Sequence, residues 1–237
     1  MLPIDRVHRY DGQESDLTCI NETVTIPGPA GRLEGVTACP PEGETRGVVA
    51  IICHPHPLYG GSFQNKVVHY LSRTCNELGV PSLRFNFRGV GNSEGVYDHG
   101  MGETDDLFAV IDWVSTRRPG FGIWLAGFSF GAFVAYRAAN RRPQVQRLIT
   151  VAPPVNLFNF GGIEPPDCPW LVIQGRQDEI VPCAEVERWV RSQARSPQLV
   201  CLSAADHFFH GQLNVLRREL AAVLGAIPAA YPAQSCQ

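Results

Sequence analysis

Two Gly-x-Ser-x-Gly motifs give this sequence its most specific chemical signal. The first, at residues 91–95, is followed by further glycines and not by an apolar helix, so we interpret it as a loop. The second, at residues 127–131, follows an apolar strand pattern directly and leads directly into a helical pattern. A strand, a sharp turn and a helix together form the context in which such a motif exposes its serine as a nucleophile. We therefore predict that Ser129 is a nucleophile.

A serine nucleophile needs a base, because a hydroxyl group reacts poorly near neutral pH until its proton is removed. On a strand–turn–helix scaffold of this kind the chain order is serine, acid, histidine. His207 and His210 are the histidines that follow both Ser129 and the best acid candidate along the chain. His207 lies in a short loop between a predicted strand and the last predicted helix, so we favour it as the base. His210 is the alternative, and we expect it to face solvent or to cap that helix.

The acid is expected just beyond the penultimate strand pattern, where Asp178 occupies a turn and Glu179 leads into an apolar segment. Its role is to accept a hydrogen bond from the imidazole, which fixes the tautomer and stabilises the imidazolium. Asp206 is the rival candidate because it adjoins His207. Neighbouring residues rarely present their side chains to each other, so we interpret Asp206 as a turn residue and predict Asp178 as the acid.

An oxyanion hole requires backbone N–H groups near the nucleophile. One donor should be Phe130, the residue after the serine. The second should come from the loop at residues 54–61, whose prolines have no N–H. His56 is the predicted donor through its main chain, with Leu58 or Tyr59 as alternatives.

We expect no metal ion and no cofactor. His54 and His56 alternate on an extended segment, so their side chains should point apart, and no cysteine or carboxylate cluster accompanies them at ligand spacing. We interpret His54 as a residue that hydrogen-bonds its own loop. Neither glycine-rich stretch carries the Lys-Ser/Thr of a phosphate loop or the helix and acidic partner of a dinucleotide site.

Alternating strand and helix patterns would position these residues. Apolar, β-branched runs predict strands at 48–53, 81–87, 122–126, 145–152, 168–174 and 197–203. Apolar residues at helical spacing predict helices at 66–78, 103–113, 130–140, 184–195 and 211–224. Strand–helix repetition of this kind predicts a parallel sheet with helices on both faces.

The segment before residue 47 has a different pattern. Residues 17–26 and 32–39 alternate around a Pro-Gly-Pro turn, which predicts an antiparallel hairpin at the edge of the parallel sheet. We interpret residues 1–237 as one domain with a core over 17–225 and a loose tail at 226–237. The roughly 15 residues between the fourth and fifth of the strand patterns above leave no room for a lid domain.

Composition narrows the classes of function. The chain has 237 residues, a formal charge of −3 and a pI near 6.2, which argues against a nucleic-acid partner. Its longest apolar run, Val48–Cys53, is far too short to span a membrane, and its charged N-terminus is unlike a secretory peptide. Eight cysteines without a Cys-x-x-Cys pair suggest buried thiols in a reducing compartment, so we expect a cytoplasmic protein.

These motifs together resemble the α/β-hydrolases, and more narrowly the small, lidless bacterial serine hydrolases related to the dienelactone-hydrolase group. The resemblance covers about residues 20–225 and includes HPHP at 54–57, GG at 60–61, RGVGNSEG at 88–95, GFSFG at 127–131, GRQD at 175–178 and DHFF at 206–209. It implies a mostly parallel sheet of eight strands whose second strand is antiparallel. Dienelactone hydrolase has a cysteine nucleophile where this chain has Ser129, so activity on dienelactones is not implied.

The predicted function is hydrolysis of a small carboxylic ester, thioester or lactone through an acyl-enzyme. Without a lid, the pocket should be shallow and suited to short acyl chains, with Tyr59, Phe128 and Phe208 as candidate walls. Acyl transfer, or perhydrolysis of the kind run by cofactor-free haloperoxidases, remains open on the same three residues. A non-catalytic binding module is the alternative of another class. The expected partner is a small acyl substrate, and the oligomeric state stays open.

Overall fold

The central strands are buried on both sides, so the core lies on two faces of one sheet. In strand β3 (Val48–Cys53) every residue is buried, with the odd-numbered side chains in one apolar cluster and the even-numbered ones in the other. Because successive side chains of a strand point to opposite faces, a strand that is apolar at each position has to be covered on both sides.

The computed structural model describes residues 22–40 and 45–226. The other strands are β1 Thr23–Gly28, β2 Gly31–Ala38, β4 Ser82–Phe85, β5 Gly122–Phe128, β6 Val145–Val151, β7 Trp170–Gly175 and β8 Gln198–Leu202. The helices are α1 Lys66–Glu77, α2 Met101–Arg117, α3 Phe130–Ala139, α4 Cys183–Arg191 and α5 Leu213–Gly225. The predicted strand residues 17–21 and the predicted tail from residue 227 lie outside the described residues.

The eight strands form a single sheet in the order β1-β2-β4-β3-β5-β6-β7-β8. Strand β2 is antiparallel to both its neighbours, β1 and β4, while the pairs from β4 through β8 are parallel. This arrangement confirms the predicted mostly parallel sheet with an antiparallel second strand. The hairpin of β1 and β2 lies at the sheet edge, as its sequence pattern predicts.

The helices cover both faces of the sheet. Helices α1 and α5 contribute to the cluster on one face, and α2, α3 and α4 to the cluster on the other. Helix α2 begins at Met101, two residues before the predicted start. The Glu103 carboxylate accepts hydrogen bonds from the backbone N–H groups of Asp98 and Gly100, which satisfies donors at this helix start.

The connection between β6 and β7 is a run of turns. Within residues 152–169 the structure contains neither a helix nor a strand, which agrees with the prediction of a fold without a lid domain. The part of the chain that the structure describes contains no helix of the length and apolarity that crossing a membrane requires.

Candidate active site

Ser129 occupies a strained turn between β5 and α3. Its backbone angles are φ 52° and ψ −119°, outside the conformations that most L-residues adopt. The flanking glycines allow this turn to approach other backbone closely. A Cβ at Gly127 would lie 2.2 Å from the carbonyl oxygen of Gly131, and one at Gly131 would lie 2.4 Å from that of Cys53. Positions 127 and 131 are therefore limited to glycine by contact with the main chain.

The structure brings Ser129, His207 and Asp178 into one hydrogen-bonded chain. His207 Nε2 lies 3.1 Å from Ser129 Oγ, and His207 Nδ1 lies 2.8 Å from Asp178 Oδ2. His207 and Asp178 are buried, whereas Ser129 is half-buried and lines a cavity. Ser129 follows the carboxyl end of β5, Asp178 that of β7 and His207 that of β8. Because these strands are parallel, their carboxyl ends bring the three residues together at one edge of the sheet.

The Asp178 carboxylate is held by donors on both oxygens. Oδ1 accepts hydrogen bonds from the backbone N–H groups of Ile180 (2.9 Å) and Val181 (2.7 Å). Oδ2 accepts one from Gln174 Nε2 at 3.0 Å in addition to its contact with His207. This arrangement aims the carboxylate at the imidazole and satisfies an acceptor-only, ionised side chain.

Gln174 is a site residue that the sequence reasoning missed. It is fully buried in β7, and besides its bond to Asp178 its amide donates to the carbonyl oxygen of Val181. A glutamine inside an otherwise apolar strand is the signal that points to it, since a buried polar side chain needs partners.

The rival residues His210 and Asp206 contact each other at the surface. His210 Nδ1 lies 2.7 Å from Asp206 Oδ2, and the His210 backbone N–H also donates to Asp206 at 2.9 Å. Asp206 and His210 therefore pair with each other in the turn after β8, whereas His207 makes the contacts with Ser129 and Asp178. 

The two predicted oxyanion donors both line the cavity beside Ser129. Neither the N–H of Phe130 nor that of His56 donates a hydrogen bond to another described residue. The alternatives in the same loop are already engaged, because the Leu58 N–H donates to His56 Nδ1 and the Tyr59 N–H donates to the His56 carbonyl oxygen. Phe130 is also the first residue of α3, where the helix dipole favours negative charge.

The imidazole of His56 holds its own loop in place. Its Nδ1 accepts from the Leu58 N–H at 3.2 Å, and its Nε2 lies 3.0 Å from the Tyr97 hydroxyl. Burial, with a smaller contribution from nearby His99, lowers the pKa of His56, which favours the neutral ring that these contacts require. His56 is therefore tied both to the turn that follows it and to the loop after β4.

A cavity of about 430 Å³ opens in front of Ser129. Its walls are mostly apolar or aromatic, and they include Pro154, Leu157, Phe158 and Ile180. Tyr59 and Phe208, two of the predicted wall residues, line this cavity.

The third predicted wall residue, Phe128, lies elsewhere. It is fully buried in the core cluster that α1 and α5 cover, and it is absent from the cavity lining. Its ring centroid is 5.3 Å from that of His207, so it packs against the imidazole from the core. The prediction was wrong because Phe128 is still part of β5 and directs its side chain into the sheet face before the chain turns at Ser129.

His54 and Ser93 make structural hydrogen bonds. His54 is fully buried, its Nδ1 lies 2.6 Å from the Pro55 carbonyl oxygen, and its Nε2 accepts from the Phe87 N–H at 3.1 Å. Ser93, the serine of the first motif, donates to the Asn86 carbonyl oxygen and accepts from the Glu34 N–H. The first motif therefore lies in a loop that Ser93 ties to β2.

Comparisons with known proteins agree with the fold. The family model described as Serine aminopeptidase, S33 (Hydrolase_4) matches residues 44–168. The chain is 45% identical to XC6422 from Xanthomonas campestris, an α/β serine hydrolase without a lid, with a TM-score of 0.84 over 89% of this chain and 97% of that one. It is 46% identical to an α/β serine hydrolase homologue from Coxiella burnetii, with a TM-score of 0.83 over 86% of this chain and 97% of that one.

A curated relative is also similar in sequence. The uncharacterized protein RP471 of Rickettsia prowazekii is 36% identical over 193 residues, which is 77% of this chain and 79% of the relative. The described residues form an eight-stranded sheet with no lid domain between β6 and β7. Because the family model matches more than half of its residues, the chain belongs to the serine aminopeptidase S33 (Hydrolase_4) family of α/β serine hydrolases.

Proposed function

We propose that this protein hydrolyses small, uncharged carboxylic esters, including thioesters or lactones, with Ser129 as nucleophile, His207 as general base and Asp178 as the acid. The observation that carries the proposal is the continuous contact from Asp178 through His207 to Ser129 at the wall of an apolar cavity.

Acylation begins with the serine. Ser129 Oγ attacks the acyl carbonyl carbon while His207 Nε2 takes the hydroxyl proton, and Asp178 stabilises the resulting imidazolium. The carbonyl oxygen becomes an oxyanion, which accepts hydrogen bonds from the N–H groups of Phe130 and His56. The tetrahedral intermediate then expels the alcohol, which receives the proton from His207, and leaves the acyl group on Ser129.

Deacylation repeats these steps with water. His207 takes a proton from a water molecule, the resulting hydroxide attacks the acyl-enzyme, and the proton returns to Ser129 as the carboxylic acid leaves. The rim of the cavity favours water as the acceptor, because Ser129 is half-buried and the neighbouring Tyr59 and Leu157 are exposed.

The cavity walls favour an uncharged substrate. None of the described residues that line it is an aspartate, glutamate, lysine or arginine. An aminopeptidase substrate carries an α-ammonium group, and burying that group without a carboxylate partner is costly. The exposed apolar side chains of Tyr59, Leu157 and Phe208 at the cavity would instead contact apolar parts of an ester.

The test is a substrate panel with matched serine variants. We expect the protein to hydrolyse p-nitrophenyl esters of short acyl chains faster than aminoacyl p-nitroanilides. Ser129→Ala should abolish ester hydrolysis, while Ser93→Ala, which changes the serine of the other copy of the motif, should retain most of it.

Two results would contradict the proposal. Faster turnover of aminoacyl anilides than of any ester would assign peptidase chemistry to the site. Full ester hydrolysis by the Ser129→Ala variant would remove the nucleophile from the mechanism.

A further inference from the structure

Two cysteines and a glutamate lie close together where α4 packs beside β8, outside the cavity described above. Cys183 is the first residue of α4, Glu187 lies one turn later, and Cys201 belongs to β8. The two Sγ atoms are 3.7 Å apart, and each lies 3.9 Å from Glu187 Oε1. Three ligand atoms of metal-binding type therefore form a nearly equilateral triangle.

The dimensions of this triangle suit a metal ion. A separation of 3.7 Å is far longer than the roughly 2.05 Å of an S–S bond. A point equidistant from the three atoms lies about 2.2 Å from each of them, close to the roughly 2.3 Å of a Zn–S bond and the roughly 2.0–2.2 Å of a Zn–O bond.

The charges around the triangle suit a divalent ion as well. Two thiolates and a carboxylate carry one more negative charge than a divalent cation neutralises. The guanidinium of Arg176 lies 3.2 Å from Glu187 Oε1 and supplies the balancing positive charge. Glu187 and Arg176 are partly exposed, so an ion has a route from solvent.

We propose that Cys183, Glu187 and Cys201 bind a zinc ion, with water as the fourth ligand. Thiolates exclude magnesium and calcium, which prefer oxygen ligands, while the mixed sulfur and oxygen set suits zinc. The Sγ and Oε1 atoms would need to move only slightly to reach the Zn–S and Zn–O distances of a tetrahedral site.

A zinc ion at this place would connect the supports of two active-site loops. Cys183 follows the loop that carries Asp178, and Cys201 lies in the strand that leads to His207. Cys201 also pairs in register with Gln174, the residue that holds Asp178. The ion would cross-link α4 to β8 and stabilise the fold without contacting substrate.

The test is metal binding to the reduced, chelator-treated full-length protein. Titration with Co²⁺, monitored by absorption, should show one ion per chain with thiolate-to-metal charge-transfer bands, and Zn²⁺ should displace it. Zn²⁺ should raise the melting temperature. The variants Cys183→Ser and Cys201→Ser should lose the charge-transfer bands, whereas the matched control Cys168→Ser should keep the full stoichiometry.

A milder variant tests the same site even if the cysteine variants do not fold. Glu187→Gln removes one ligand on a partly exposed helix turn and should lower zinc affinity at least about tenfold. The proposal is overturned if the reduced wild-type protein binds no Co²⁺ or Zn²⁺, if the Cys183→Ser and Cys201→Ser variants keep the bands, or if Glu187→Gln leaves the affinity unchanged.

Discussion

The side-chain amide of Gln174 donates a hydrogen bond to Asp178 Oδ2, the same oxygen that contacts His207. Gln174 does not line the cavity, so it acts on the site through Asp178. The carboxylate is thus oriented by a side chain within β7 as well as by the turn that follows that strand.

Replacing Gln174 with methionine should therefore reduce turnover more than substrate binding. A hydrogen bond to a charged group is worth about 1.5–3 kcal/mol, so kcat/KM should fall about 10- to 100-fold while KM changes little. Steady-state kinetics on a p-nitrophenyl ester measures both constants. Thr150→Val is the matched control, since it removes a buried hydrogen-bonding hydroxyl from the neighbouring strand β6, away from Asp178. An equal loss in both variants would mean that Gln174 serves only the fold.

The proposed main-chain donor at residue 56 can be removed by proline. His56 has φ −53°, which proline adopts without strain, so His56→Pro deletes the N–H while preserving this backbone angle. Loss of one oxyanion donor should lower kcat about 100- to 1,000-fold. His56→Asn keeps the N–H and a side-chain acceptor, and it should retain most of the activity. Equal kcat values for the two variants would exclude the His56 N–H as a donor.

Acid should destabilise the protein through His54. Burial lowers the pKa of His54 from 6.5 to about 4. Between these values the unfolded chain binds a proton that the folded chain does not, so the free energy of unfolding falls as the pH falls from about 6.5 to about 4 and then levels off. A shift of this size corresponds to roughly 3 kcal/mol.

The His54 contribution is measured by urea unfolding at pH 7 and pH 4.5. In His54→Gln the loss of stability between these two pH values should be smaller than in the wild-type protein, because the glutamine side chain does not titrate. The same loss in both proteins would show that other groups cause the acid sensitivity.

Much of the fold could be predicted from the sequence because its signals are local. The apolar run 48–53 coincides with strand β3, and the strand–glycine–serine–helix pattern marks the position of Ser129. The chain order of serine, acid and histidine selected the residues that the structure brings together.

What the sequence could not predict depends on strand order and side-chain direction. Gln174 and Cys201 become neighbours through the parallel register of β7 and β8, and no spacing along the chain encodes that pairing. Phe128 is adjacent to the nucleophile in sequence, yet it points into the core because the turn begins only at Ser129. The contacts of Cys183 and Cys201 likewise depend on how α4 packs beside β8.

Fluorophosphonate labelling tests whether Ser129 is the nucleophile and whether His207 activates it. After reaction and proteolysis, mass spectrometry of the wild-type protein should locate the label on the peptide containing Ser129. Ser129→Ala should take up no label, His207→Ala should label far more slowly, and Ser93→Ala should label like the wild type. Label that disappears in Ser93→Ala but persists in Ser129→Ala would show that Ser129 is not the nucleophile.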